Sequence, residues 1–293
     1  MTPIMSPSRS RAESLESGGV KRTYRLYIPD SLKAQTPVPL VFVFHGGGSN
    51  ALEAEGMSKF SRIAFREQFI AAYPDGIGHN FNDGRTGADL QPQAAHIDDV
   101  AFVDDMIAAI SERHPVDPKR IYSTGISNGG MFSHFLAERH AERIAAIAPV
   151  VGGIAEPIAD SFNPAEPVSV LIIQGTADPI VLYHGGKVDH GDRGSIIDTD
   201  RAVQIWIEKN GCRKTPVVSE MPGKDVDDGC RVFVSKWSGG RADSAVWLYR
   251  VEGGGHTWPN GPQYLPEDRI GKVYRDFDAS ETIWAFFKAH PKP

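Results

Sequence analysis

The stretch "RIYSTGISNGGMFS", residues 120–133, decides the fold. An apolar run ends in small residues. Ser127 then stands between Gly125 and Gly129, and Met131, Phe135 and Leu136 follow at helical spacing. A serine on a very sharp strand-to-helix turn is driven toward a strained backbone conformation. The residues two before and two after it then approach too closely for a Cβ, and glycine is required at both. The turn lifts the hydroxyl above the strand and sets the unpaired N–H groups of the next helix beside it. The plainer alternative is a serine that caps the helix between flexible glycines. The strand–turn–helix context favours the first reading.

Outward from this turn the chain alternates between buried strands and helices. "PLVFVFHG" and "FIAAYP" are nearly continuously apolar, as strands covered on both faces are. "IAAIAPVVGG", "VSVLIIQG" and "AVWLYRVEGGG" extend the pattern, whereas "KRTYRLYIP" alternates like a half-exposed edge strand. Between them lie helical faces: Met57, Phe60, Ile63 and Ala64; Val100, Val103, Ile107 and Ile110; Ala202, Ile205 and Trp206; Ile283, Phe286 and Phe287. Asp278 with Glu281 reads as a capping box for the last of these, and Asp98, Asp99, Asp198 and Asp200 read as N-caps. Strands in alternation with helices predict an α/β domain with a mostly parallel sheet and helices on both faces.

Composition narrows the class. Of 293 residues, 41% are hydrophobic and 23% charged, enough for one sizeable core. The net charge of -6 argues against nucleic acid or an anionic membrane as the main partner. No apolar run approaches the roughly 18 residues of a membrane span. Residues 1–19 are polar and lack the apolar segment of a signal peptide, so the expectation is a flexible lead-in followed by one domain over 20–293. Cys212 and Cys230 are either two independent core residues or one disulfide, which would imply an oxidising compartment. The segment between them is polar and stands to gain from a staple, so a bond is expected. Neither cysteine has a second Cys or His at ligand spacing, so no metal is implied.

In open α/β sheets, ligands bind beyond the carboxyl ends of the strands. Four short stretches sit there: "HGGGSN" (45–50), "GISNGG" (125–130), "GTADP" (175–179) and "GGGHTWP" (253–259). A serine hydroxyl needs a base, and the base an orienting acid, in the chain order Ser, Asp or Glu, His. Asp178 and His256 follow Ser127 in that order, each at a strand end. His134 and His140 lie on the helix after Ser127 and point away from the sheet top. His184 and His190 come before the last strands. The glycine run supplies the other half of the chemistry. A tetrahedral oxyanion needs fixed backbone donors, expected from the amide of Asn128 and from Gly46 and Gly47.

The motifs "FVFHGGGSN", "YPDGIGHNFND", "IDDVAFVDDMI", "GISNGGMFSHFLA", "GTADPIVLYHGG", "NGC" and "GGGHTWP" occur in this order. Together the chain resembles the poly(3-hydroxybutyrate) depolymerase and feruloyl esterase group of α/β-hydrolases, carbohydrate esterase family one, over residues 20 to 290. The resemblance implies an α/β-hydrolase fold, a cofactor-free serine carboxylesterase, an extracytoplasmic home, and Ser127, Asp178 and His256 as nucleophile, acid and base. It suggests that Trp258 flanks the site, with His45 and Gly48 also on the substrate side. Trp258 is the one tryptophan in a glycine-rich loop, which leads to the expectation of a flat wall suited to an aryl acyl group such as ferulate. Short polyesters and acetylated xylan are the alternatives, and a serine peptidase or transacylase would use the same three residues. Two departures stand out: Asn260 precedes Gly261 where the group commonly has "HTWPG", and the "HGGGSN" loop carries no cysteine.

Overall fold

A computed structural model describes residues 10–32, 36–87, 89–188, 191–223 and 229–293. Its strands are β1 (Arg11–Ser17), β2 (Val20–Tyr27), β3 (Val38–Phe44), β4 (Ile70–Pro74), β5 (Val116–Ile126), β6 (Ala146–Val150), β7 (Ser169–Gly175), β8 (Gly186–Lys187), β9 (Ser195–Ile196), β10 (Val217–Glu220), β11 (Arg231–Trp237) and β12 (Val246–Glu252). The α-helices are α1 (Ala51–Ser58), α2 (Phe60–Glu67), α3 (Gln91–Ala94), α4 (Asp99–Arg113), α5 (Asn128–Arg139), α6 (Glu156–Ala159), α7 (Thr199–Asn210), α8 (Glu267–Ile270) and α9 (Ala279–Ala289).

Ten strands form one sheet in the order β1-β2-β4-β3-β5-β6-β7-β12-β11-β10. The strands from β4 to β12 in this order pair in parallel, and an antiparallel pair closes each edge. Strands buried on both faces need apolar side chains at every position, and β3 and β7 are buried throughout. In β3, Leu40, Phe42 and Phe44 point to one face with Met106 of α4 and Trp206 of α7. Val41 and Val43 point to the other with Phe60 of α2 and Trp284 of α9. The sheet is therefore covered on both sides, as the sequence predicts.

Three expectations are corrected. Residues 11–17 are not a lead-in: they form β1, paired with β2 from Arg11–Leu26 to Ser17–Val20. Tyr24 of β2 bonds to Glu13, and the outer strand makes β2 an interior one. The first nine residues of the expected lead-in lie outside the described residues. The Cys212–Cys230 bond is not formed, and both are buried thiols. Cys212 belongs to the core on one face of the sheet and Cys230 to the core on the other, so the sheet separates them. Two free thiols do not imply the oxidising compartment that a disulfide would have. Asp98 caps α4 through the Ala101 amide, but Asp99 does not cap: its buried carboxylate pairs with Arg22 at 2.5 Å and accepts from the Asn82 amide.

Candidate active site

The turn read from "GISNG" holds its serine in a strained conformation. Ser127 sits between β5 and α5 with φ 56° and ψ −121°, a region that side chains rarely occupy. Its amide donates to the Val150 carbonyl (2.9 Å), and its carbonyl accepts from Met131 (2.9 Å), which pins the strained residue from both sides. The flanking glycines are required by contact. A Cβ on Gly125 would stand 2.6 Å from the Gly129 carbonyl carbon. One on Gly129 would overlap the Phe44 carbonyl oxygen and come within 2.6 Å of that of His45.

Asp178 follows β7. Its carboxylate is buried, and Oδ1 accepts from the amides of Ile180 and Val181, both at 2.8 Å. Oδ2 lies 2.8 Å from Nδ1 of His256, which is itself buried in the loop after β12. Backbone and imidazole thus fix both carboxylate oxygens. The His256 carbonyl accepts from the Tyr264 hydroxyl at 2.8 Å, and burial together with nearby Asp178 raises the Tyr264 phenol above its ordinary range. Ser127 and His256 line one open cleft of about 660 Å³ with Asn128 and with Gly46, Gly47 and Gly48. Met57, Ile126, Ile180, Val188 and Leu265 make its apolar walls, and Tyr264 adds an aromatic one.

The glycine loop is tied to the loop after β4. Gly48 donates its amide to His79 (2.8 Å). His45, expected on the substrate side, is buried and does not line the cleft. Its Nδ1–H donates to Gly46 O (2.7 Å) and its Nε2 accepts from the Gly76 amide (3.0 Å), a pair of bonds that needs the neutral ring. Burial lowers its pKa and keeps that form. His45 is a brace.

Trp258 is a second correction. It is 2% exposed, belongs to the core beneath α9, and donates Nε1–H to Ser280 Oγ at 3.0 Å. It does not line the cleft, and Tyr264 takes the aromatic place the sequence reading gave it. The competing histidines stand elsewhere: His134 Nδ1 accepts from Trp206 in the core, and His184 faces Asp198 on the surface. His190 lies outside the described residues. Among those described, no group of three His, Cys, Asp or Glu side chains could hold a metal ion.

Sequence reasoning missed the support beneath Asn128. Its side chain accepts from the Phe81 amide (2.7 Å) and donates to the Phe81 carbonyl (2.9 Å) and to Asp83 (2.7 Å). Asp83 is buried against Arg85, with Nε–O distances of 3.1 and 2.9 Å. These residues fall in or beside the quoted "YPDGIGHNFND", whose polar end was the available signal.

The family model for esterase PHB depolymerases matches residues 22–190. The chain belongs to this esterase family. Feruloyl esterase B of Piromyces equi is 30% identical over 241 residues, covering 80% of this chain but only 42% of that relative's length. A putative esterase, NocK, of Nocardia uniformis subsp. tsuyamanensis is 28% identical over 302 residues, covering 97% of this chain and 86% of its own. Among solved structures, an acetyl xylan esterase from Aspergillus awamori superposes with a TM-score of 0.60 at 13% identity, over 84% of this chain and 94% of its own. That likeness supports the α/β-hydrolase fold of this esterase family member.

Proposed function

We propose that this esterase is a serine carboxylesterase in which Ser127 is the nucleophile, His256 the general base and acid, and Asp178 the residue that orients the imidazole. One observation carries the reading: the only serine on a strained strand-to-helix elbow among the described residues opens onto the same cleft as a histidine whose far nitrogen is held by a buried carboxylate. Ser127 Oγ attacks the ester carbonyl as His256 Nε2 takes its proton. The oxyanion is met by the amide of Asn128 at the start of α5 and by an amide of the Gly46–Gly47 turn. His256 then returns the proton to the leaving alcohol, and water cleaves the acyl-enzyme by the same route.

The substrates proposed are aryl-acid or related esters carried on polysaccharide, in line with the feruloyl esterase named above. A short polyester is the second reading, favoured by the family description. The mixed aliphatic and aromatic walls of the cleft suit either. The test is a panel of methyl ferulate, acetylated xylan, short 4-nitrophenyl esters, 3-hydroxybutyrate oligomers and a peptide, with Ser127→Ala alongside. The reading expects ester hydrolysis that falls by several orders of magnitude in the variant. A tenth of the activity retained in Ser127→Ala refutes it.

A further inference from the structure

We propose that Arg193 is a binding point, at the wall of the cleft, for a carboxylate carried by the ester substrate, so that acidic esters are preferred over neutral ones of the same shape. The inference rests on the esterase reading above and names a substrate class for that site.

Two arginines line the cleft, and they differ in what their charge is doing. Arg85 is 3% exposed and its guanidinium is neutralised by the buried Asp83, with NH2 2.7 Å from Oδ2. Its remaining NH1 donates to the backbone carbonyl of Arg193 at 3.0 Å. Arg193 is half-buried, and its own guanidinium has no carboxylate partner among the described residues.

The backbone that carries this unspent charge is fastened on each side. Asp192 donates its amide to the Asp89 side chain (2.8 Å) and accepts from the Asp89 amide (3.1 Å). Arg193 is held by Arg85. Gly194, at φ 72°, bonds through its carbonyl to the Val188 amide (2.9 Å) and packs so closely on the Thr86 carbonyl that a Cβ would overlap it. Three consecutive residues are therefore fixed, and the one of them that lines the cleft is a cation. An arginine placed only for solubility needs no such fastening, and a chain of net charge -6 does not put it there as part of a basic surface.

The wall also carries Glu53 of α1, which accepts from the Ser49 hydroxyl at 2.6 Å and forms no ion pair with Arg193. The Asp83–Arg85 pair adds no net charge. Among the described residues the cleft thus presents one guanidinium without an ion-pair partner, with Val188 and Ile180 among its apolar walls. Its planar fork of donors matches a carboxylate, and the apolar surroundings strengthen the contact relative to open water. The carboxylate has two possible sources: the far end of a dicarboxylic acyl group, or an acidic group on the alcohol, as on an acidic sugar.

The experiment measures kcat/KM on two matched pairs with wild type, Arg193→Gln and Arg193→Lys. The acyl pair is mono-4-nitrophenyl adipate against 4-nitrophenyl hexanoate. The alcohol pair is 4-acetoxybenzoate against phenyl acetate. In at least one pair the charged-to-neutral ratio should fall about tenfold or more in Arg193→Gln, mainly through KM. The lysine variant should lose less, and 0.5 M salt should lower the wild-type ratio far more than that of the glutamine variant. The pair that responds identifies the source. An unchanged ratio in both pairs overturns the proposal. So does an equal loss on charged and neutral esters, which a structural role or an oxyanion contact would give. Neutral-ester hydrolysis by wild type and its loss in Ser127→Ala are measured together. An unchanged ratio with that loss overturns the carboxylate site alone; no ester hydrolysis at all overturns both readings.

Discussion

Asp178→Asn isolates what the buried carboxylate does. Its Oδ1 accepts two backbone amides at 2.8 Å, and its Oδ2 faces His256 Nδ1 at 2.8 Å. Asparagine has one oxygen to share between these places. With the oxygen toward Ile180 and Val181, both amide bonds survive and the new NH2 faces His256. Nδ1 must then accept, which puts the ring proton on Nε2, where it cannot receive one from Ser127. With the amide flipped, the useful tautomer returns, but two buried N–H groups lose their acceptor at about 1–3 kcal/mol each. The unproductive arrangement therefore wins by roughly 2–6 kcal/mol, which is about 1.5 to 4 powers of ten in the active population. The imidazolium formed in the transition state also loses its counter-charge. We expect kcat on 4-nitrophenyl acetate near neutral pH to fall by about 10³ to 10⁴, with KM little changed because the carboxylate touches no substrate. The melting temperature should stay close to wild type, since the amide bonds remain. A variant that keeps a tenth of kcat, or whose loss lies in KM alone, refutes this role for Asp178.

Gly129→Ala drives a methyl into the carbonyls of Phe44 and His45, neither of which can move without bending β3; it should cost at least about 2 kcal/mol and lower the calorimetric melting temperature by several degrees, and a shift under one degree counts against the close approach. Trp258→Phe removes the bond to Ser280 beneath the core, so it should lower stability by about 1 kcal/mol yet leave the ratio of ferulate to acetate turnover intact; a changed ratio would return Trp258 to the substrate wall. His134 is buried with its pKa lowered to about 3 by desolvation, so the unfolded chain takes up its proton first as pH falls below its ordinary value. Stability present above pH 6.5 is lost on acidification, by about 2 kcal/mol from this residue between pH 7 and 5. Urea unfolding of wild type and His134→Gln at both pH values checks it, and parallel pH slopes would contradict the assignment.

What could be read from the sequence was whatever leaves a steric or periodic mark at fixed spacing. The elbow was legible because its geometry excludes a Cβ at positions 125 and 129. The parallel core was legible because strands such as β3 are apolar at every position. The failures share a cause: each depended on which way a residue faces or on a partner far along the chain. Trp258 sits in a glycine-rich loop, but its partner Ser280 lies in α9. Cys212 and Cys230 lie 18 positions apart, a separation silent about the two faces of the sheet between them. β1 and β10 are edge strands with little buried surface. All four residues of β10 are exposed, so neither alternation nor an apolar run marks it.

The same distinction explains how four loops from separate strands make one site. Several parts of the candidate site are held by neighbouring loops as well as by their own. Gly48 of the glycine turn donates to His79, and the Gly76 amide holds the ring of His45 behind that turn. The side chain of Asn128, whose amide the proposed mechanism assigns to the oxyanion, is clamped to Phe81 and Asp83. Phe81 in turn stacks against Phe132 and meets Phe44 edge-on, so the clamp is seated on the core. Asp83 holds Arg85, and Arg85 holds the backbone of Arg193 beside it. The segment from Gly76 to Arg85 thus links the glycine turn, the Ser127 elbow and the backbone at Arg193, although only Asn80 and Arg85 of it reach the cleft surface. Under the proposed mechanism turnover depends on sub-ångström placement of donors that touch the substrate, so the rate would be set in part by a loop whose side chains mostly face inward. On that reading residues such as Asp83 carry functional weight without the exposed, polar signature by which active-site residues are usually sought in a sequence.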